Sequence, residues 1–324
     1  VAAFAHTGKV VTVWDVASGE KMAEVKESVE GFDGVDGFAF SNDGTQLILM
    51  RKDLPLTYID WKTGKAVKKL DIKADPKKIL CHDFSDDQSL LVLGTMSNGI
   101  VVWDVKNGKK LKSFLPGQAI SGVDYITYKT KSGAVVRKIG WGRALMPPNA
   151  AWDNVAGIID LDSGANATVL TDVPADKKPP EGSMTFLQAN WQWGGGHLLI
   201  SYYQIPPKIK AGLFIIDAET KKYVTAFELG QKTLNFNPKY LWKPFYGLSI
   251  STNDMSNPMQ GYKSATEFVV WTKEGPKVID SIDESELPVQ SINYNADNTL
   301  AVISQKKGMS DPATISIFKV TPKK

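Results

Sequence analysis

A short motif recurs seven times along this chain, and that repeat constrains the fold more than any other feature. Runs of β-branched and aromatic residues end in Asp and then reach a Gly turn. They read Val13-Trp14-Asp15-Val16-Ala17-Ser18-Gly19, Ile59-Asp60-Trp61-Lys62-Thr63-Gly64, Val102-Trp103-Asp104-Val105-Lys106-Asn107-Gly108 and Ile159-Asp160-Leu161-Asp162-Ser163-Gly164. A fifth copy is Ile216-Asp217-Ala218-Glu219-Thr220, and two degenerate copies are Val270-Trp271-Thr272 and Ile317-Phe318-Lys319. Counted at positions 15, 60, 104, 160, 217, 272 and 319, the spacings are 45, 44, 56, 57, 55 and 47 residues.

A second marker sits between the copies. Phe38-Ala39-Phe40-Ser41-Asn42-Asp43-Gly44 precedes Leu47-Ile48-Leu49, and Asp83-Phe84-Ser85-Asp86-Asp87-Gln88 precedes Leu90-Leu91-Val92. Ile292-Asn293-Tyr294-Asn295-Ala296-Asp297-Asn298 precedes Leu300-Ala301-Val302 in the same way. Each is a strand, a polar turn and a second strand, with Asp, Asn and Gly supplying the turn chemistry. Alternation at Val11 and Val13, and at Val101, Trp103 and Val105, supports strands, and no segment carries a long helical period. One unit is therefore four strands: a, the Asp/Gly turn, b, a variable loop, c ending in Asp, a Gly turn, and d.

A lone four-stranded unit cannot bury both faces, so the units must stack. Radial stacking gives a β-propeller, and a period of about 40–45 residues fits one blade. The expectation is an all-β, seven-bladed β-propeller of four-stranded antiparallel blades, one domain over residues 1–324. Through Trp14-Asp15, Trp103-Asp104 and the Ser-x-Asp-Gly-like turns, the chain resembles the WD40 repeat family and the broader bacterial WD40-like propellers. That family's Gly-His dipeptide is missing. Of His6, His82 and His197 only His197 follows Gly, after Gly194-Gly195-Gly196, in what reads as an a–b hairpin. Blades held mainly by apolar packing between neighbours are expected instead.

The terminal blades read as incomplete. Val1–His6, Lys9–Val16 and Lys21–Val25 supply b, c and d of blade 1, without a strand a. Ser291–Tyr294, Leu300–Ser304 and Thr314–Val320 supply a, b and c of blade 7, without a strand d. Propellers of the resembled family commonly close by pairing an N-terminal strand with the last blade. A segment upstream of Val1 carrying both missing strands is the corresponding expectation.

Extra length in units 4 to 6 lies between b and c, at Gly142–Asn154, Gln204–Ala211 and Thr252–Ala265, and in the d–a connection Val173–Met184. In the resembled propellers these loops share one face, and loops on rigid scaffolds carry function. In or beside them lie Trp141, Met146, Pro147, Pro148, Trp152, Tyr203, Pro206, Pro207, Met255, Pro258, Met259 and Tyr262. Aromatics of this kind are enriched at binding hot spots, so these twelve residues are the expected partner-binding set. The alternative is that they pack on one another and cap the ring.

Catalytic constellations are scarce. Cys81-His82-Asp83 are consecutive strand residues, so Cys81 and Asp83 face one way and His82 the other. Asp43, Asp86, Asp87 and Asp297 read as turn residues spread over separate blades rather than as a calcium site. Gly140-Trp141-Gly142 and Gly194-Gly195-Gly196 lack the spacing and following helix of a phosphate loop. Asn166-Ala167-Thr168 matches a glycosylation acceptor, a pattern with a high chance rate. Lys68-Lys69 and Lys109-Lys110 read as solvated strand edges that discourage edge pairing.

Composition removes several other classes. An apolar fraction of 43% excludes disorder, and Cys81, the one cysteine, cannot pair within the chain. No apolar run approaches the roughly 18 residues of a membrane span. With 38 basic against 35 acidic residues, nucleic-acid binding is not indicated, and zinc is disfavoured for lack of ligands. The leading expectation is a non-catalytic propeller that binds other protein subunits of a larger assembly, with no cofactor. The alternatives are an extracytoplasmic propeller enzyme, quinoprotein-like or a lyase, or a propeller binding a small ligand or glycan. For an enzyme the inward candidates would be Arg143, Asp153, Lys208 and Asp254. A start at Val1 rather than Met and the lack of an internal sorting motif favour a periplasmic or secreted location over a cytoplasmic one.

Overall fold

Antiparallel meanders account for every strand described in the computed structural model, which covers residues 2–6, 10–26, 37–50, 56–71, 79–130, 132–143, 154–178, 185–192, 197–204, 211–230, 248–253, 264–272, 275–283, 289–294, 300–305 and 314–319. Sheet 1 is β1 (Ala2–His6), β2 (Val10–Trp14) and β3 (Lys21–Lys26). Sheet 2 is β4 (Gly37–Phe40), β5 (Gln46–Met50), β6 (Leu56–Asp60) and β7 (Lys65–Leu70). Sheet 3 is β8 (Ile79–Phe84), β9 (Leu90–Thr95), β10 (Ile100–Asp104) and β11 (Lys109–Phe114). Sheet 4 is β12 (Ile120–Lys129), β13 (Val135–Arg143), β14 (Ala156–Asp160) and β15 (Asn166–Thr168). Sheet 5 is β16 (Thr185–Gln192), β17 (His197–Gln204), β18 (Ala211–Asp217) and β19 (Tyr223–Gly230). Sheet 6 is β20 (Leu248–Asn253), β21 (Ser264–Thr272) and β22 (Gly275–Asp283). Sheet 7 is β23 (Val289–Tyr294), β24 (Leu300–Gln305) and β25 (Thr314–Lys319).

These are the expected strands in the expected order, with three strands described in sheets 1, 6 and 7. The one helical element described is a single 3-10 turn, Ala175–Lys177. The chain divides into two compact units, Val1–Gln118 and Ala119–Lys324, with sheets 1 to 3 in the first and 4 to 7 in the second. The boundary follows β11, so it cuts between sheets and not through one.

Packing between consecutive sheets follows the two-residue strand period. In the first unit Leu47 and Leu49 join Val11, Val13 and Val25 of sheet 1, together with Ile59 and Trp61. The residues between and beyond them, Ile48 and Met50, turn to the other face and join Leu91, Leu93, Val101 and Trp103 of sheet 3. Sheet 2 is thus covered on both faces. Its inner strands consequently lose the alternation expected of a half-buried strand, and Leu47, Ile48, Leu49 and Met50 are all buried. In the second unit Ile126, Ala156 and Ile158 of sheet 4 pack on Leu198, Ile200, Phe214 and Ile216 of sheet 5.

The Asp of each repeat organises the c–d turn. Asp15 Oδ1 accepts from the backbone N–H of Ala17 (2.9 Å) and Ser18 (2.8 Å). Asp60 accepts from Lys62 and Thr63, Asp104 from Asn107, Asp160 from Ser163, and Asp217 from Glu219 and Thr220. The turn then needs a left-handed residue. Gly19, Gly64, Gly108 and Gly164 supply it with φ of 61–76°, and Lys221 takes the place at 61° in sheet 5. After the turn the outer strands of sheets 1, 2, 3 and 5 carry a bulge. Met22, Val67, Leu111 and Val224 are skipped in the c–d pairing of sheets 1, 2, 3 and 5.

Candidate interaction surface

In a four-strand meander the b–c and d–a links leave from the same end of the sheet, opposite the a–b and c–d turns. The structure closes the b–c hairpins of sheets 4, 5 and 6 up to the base of each link. The Arg143 amide donates to Val155 O at 2.9 Å, Tyr203 pairs with Ala211, and Asn253 pairs with Ser264. Rigid ladders therefore present the links 144–154, 205–210 and 254–263. The corresponding link of sheet 7, residues 306–313, is longer than that of sheet 5, which the repeat reading passed over. Its polar Lys306-Lys307-Gly308-Met309-Ser310-Asp311 run was the available signal.

Of the twelve expected partner-binding residues, Trp141 is the one whose side chain is described, and it corrects the expectation. It stands inside β13, is 1% exposed, and donates from Nε1 to Asn166 Oδ1 at 2.9 Å. Its indole lies over Gly157, where an added Cβ would meet the ring at 2.7 Å. Trp141 is a core residue: β13 pairs with β12 and β14 on its two edges, and residues 138 to 142 are all buried. The same bond uses the Asn166 amide, the acceptor of the glycosylation pattern, to cap a buried indole. Tyr203 belongs to β17, paired with Phe186 and Ala211, beside the link. Met146, Pro147, Pro148, Trp152, Pro206, Pro207, Met255, Pro258, Met259 and Tyr262 lie outside the described residues, as do Asp153, Lys208 and Asp254.

Part of the d–a connection is structural. Val169, Leu170 and Val173 are buried in the cluster shared by sheets 4 and 5. At the mouth of the sheet 4 link, Arg143 keeps Nε buried with no hydrogen-bond partner among the described residues. A buried donor without an acceptor is costly, by roughly 1–3 kcal/mol.

The residues with reactive side chains are placed apart. Asp83 is buried and its Oδ1 accepts from the Phe84 amide at 2.8 Å. His82 contacts the Phe84 ring edge-on with centroids 6.5 Å apart, so the two share the opposite face, as the strand period requires. Asp43 and Asp87 work in their own turns, accepting from the Ser41 and Ser85 hydroxyls at 2.6 Å. Those hydroxyl donors hold both carboxyls below the usual carboxylate range. Burial, with Glu228 adding to it, pushes the Tyr202 hydroxyl up to about 12, and the ring stacks on Phe214 at 5.1 Å. Among the described residues no three His, Cys, Asp or Glu side chains gather as a metal site, and no helix is long and apolar enough to cross a membrane.

Sheets of this form place the chain among β-propeller-like proteins. The β-propeller domain of Cps50 (Swd1) from Myceliophteria thermophila superposes with a TM-score of 0.59, at 16% identity, over 88% of this chain and 83% of that one. A chain of the mitotic checkpoint complex gives 0.61 at 15% identity, over 98% and 85%. The hydrazine synthase of Kuenenia stuttgartiensis gives 0.58 at 13% identity, over 86% and 77%. Likenesses at such identity define the fold alone. No family model and no curated protein matches the sequence.

Proposed function

We propose that this chain is a non-catalytic propeller scaffold, its seven sheets closed as the blades of a WD40-like ring, that binds protein subunits of a larger assembly. The binding elements are the b–c and d–a links of blades 4 to 6. The observation that carries this reading is the closure of three consecutive b–c hairpins to the base of their links, at Arg143/Val155, Tyr203/Ala211 and Asn253/Ser264. A rigid base limits the entropy lost when such a link is ordered against a partner. A chain of similar fold comes from the mitotic checkpoint complex, which supports a role inside an assembly.

The test is the mass of the particle in which the protein travels when purified gently from its source, with cross-links mapped. A mass well above 35.5 kDa, with cross-links from 144–154 or 254–263 to defined partners, is expected. A lone monomer overturns the reading. The likeness to hydrazine synthase keeps an enzyme as the second reading. Visible absorbance from a bound cofactor in the native preparation would favour it.

A further inference from the structure

Positive charge is concentrated at one place on a chain that is nearly neutral overall. From Lys62 to Leu70 and from Val105 to Phe114 there are eight lysines and no carboxylate. Six of them, Lys65, Lys68, Lys69, Lys109, Lys110 and Lys112, lie on β7 and β11, each the outer strand of its sheet. Within the first unit β7 lies against the c–d turn that leads into β11. Lys68 Nζ donates to Val105 O at 3.4 Å, and a Cβ at Gly108 would stand 3.7 Å from the Leu70 side chain. The bracketing carboxylates of the turns, Asp60 and Asp104, are engaged by turn N–H groups, and Asp71 follows β7. Between the lysines the bulges push out two apolar side chains, Val67 at 57% and Leu111 at 48% exposure.

We propose that these paired outer edges dock an extended acidic polypeptide segment of a partner protein, with apolar side chains between its carboxylates. An outer strand offers unpaired backbone N–H and C=O groups, and lysines with a bulge ordinarily deter other strands from using them. That deterrent is selective by charge. Neutral and basic strands, including a second copy of this edge, are repelled or left with buried cations. An acidic segment turns the same lysines into attraction and can add short strand pairing on either side of the bulge. Val67 and Leu111 then act as anchors in a basic field. A phosphate backbone would leave both anchors idle, and neither stretch contains an arginine or an exposed aromatic for base stacking. This surface belongs to sheets 2 and 3 and stands independently of the links of blades 4 to 6.

The experiment measures fluorescence anisotropy of a labelled twelve-residue peptide alternating Glu and Val, titrated with the full chain. An alternating Lys/Val peptide, a single-stranded DNA of equal length and phosphatidylserine vesicles are run beside it. The Glu/Val peptide is expected to bind, more weakly as salt rises, and the three other probes at least about tenfold less well. The triple variant Lys69→Glu, Lys109→Glu, Lys110→Glu, all at exposed positions, should weaken binding by at least about tenfold. Thermal melting checks that it folds, and Lys→Gln at the same positions, expected to cost about threefold, replaces it if it does not. Val67→Ser with Leu111→Ser should lose about threefold with an unchanged salt slope. Absence of peptide binding, equal binding by the charge variants, or tighter binding of DNA or vesicles overturns the proposal.

Discussion

Sheets 2 and 3 are tied to each other differently from sheets 4 and 5. In the first pair the a–b turns touch through polar groups at the surface. The Gln88 amide donates to Phe40 O at 2.7 Å, its Oε1 accepts from the Asn42 amide at 2.9 Å, and Asn42 Nδ2 donates to Asp86 O at 2.8 Å. Gln88 makes these bonds from a left-handed backbone, φ 55°, at the place where the preceding turn has Gly44 at 69°. In the second pair the tie is buried. Lys138, 7% exposed, donates to Tyr128 Oη at 2.9 Å and to Ala218 O of sheet 5 at 3.0 Å, beside the Ile126–Phe214 cluster. The lesson is that adjacent sheets of this chain are joined in one place by exposed turn-to-turn bonds and in another by a buried lysine set in an apolar seam. The second arrangement has the larger energetic consequences, because water cannot replace a lost partner there.

That contrast sets an order of effects. Phe214→Ala, which empties the seam between sheets 4 and 5 and unstacks Tyr202, is expected to destabilise by about 3–5 kcal/mol in a urea titration. Lys138→Ala should follow at about 1–3 kcal/mol, since it strands the Ala218 carbonyl. Equal stability of this variant and the parent chain would mean that water enters the site. At the exposed tie, Gln88→Ala should lower stability by about 1 kcal/mol. Gln88→Gly should fall near zero net, because relief of a left-handed side chain is worth roughly 1 kcal/mol and offsets the lost bonds. Two identical losses would show that the backbone conformation carries no cost.

The smallest effect is a pH dependence of the turns. Asp15, Asp43, Asp87, Asp104 and Asp160 have carboxyls held below the ordinary value by turn donors: the Ser18, Asn107 and Ser163 amides for the c–d turns, and hydroxyls for Asp43 and Asp87. A lowered folded pKa contributes stability above the unfolded value of about 3.9 and loses it as pH falls through the folded one. Melting temperature should therefore drop on acidification below about pH 4, and Asp43→Asn with Asp87→Asn should flatten that acid limb. An unchanged limb in the double variant would remove these turns as its source.

Particular residues show what could and could not be read beforehand. The c-strand markers, the hairpin turns and the order of strands were legible because turn chemistry is local: Asp, Gly and Asn act on backbone groups two to four residues away. Trp141 was misplaced because it borders a long insertion, and nearness to a loop says nothing about which sheet covers a strand. The partners of Lys138, Tyr128 Oη and Ala218 O, stand 10 and 80 residues away, beyond the reach of local turn chemistry. The bulges at Met22, Val67, Leu111 and Val224 needed the c–d register, since one skipped residue leaves the hydrophobic pattern of an exposed strand unchanged.

By itself the sequence determined that this is a repeating all-β chain, with Asp-capped c–d turns and four-strand units whose faces must be covered by one another. Those conclusions rest on short-range hydrogen bonding and on the two-residue period of a strand. The tertiary structure alone decided which residues lose water. Ile48 and Leu49 leave opposite faces of one strand for different neighbours, Trp141 is enclosed, and Val67 and Leu111 are pushed outward among lysines. Burial is a property of the neighbouring sheet, and no residue specifies its neighbour across a gap of forty positions.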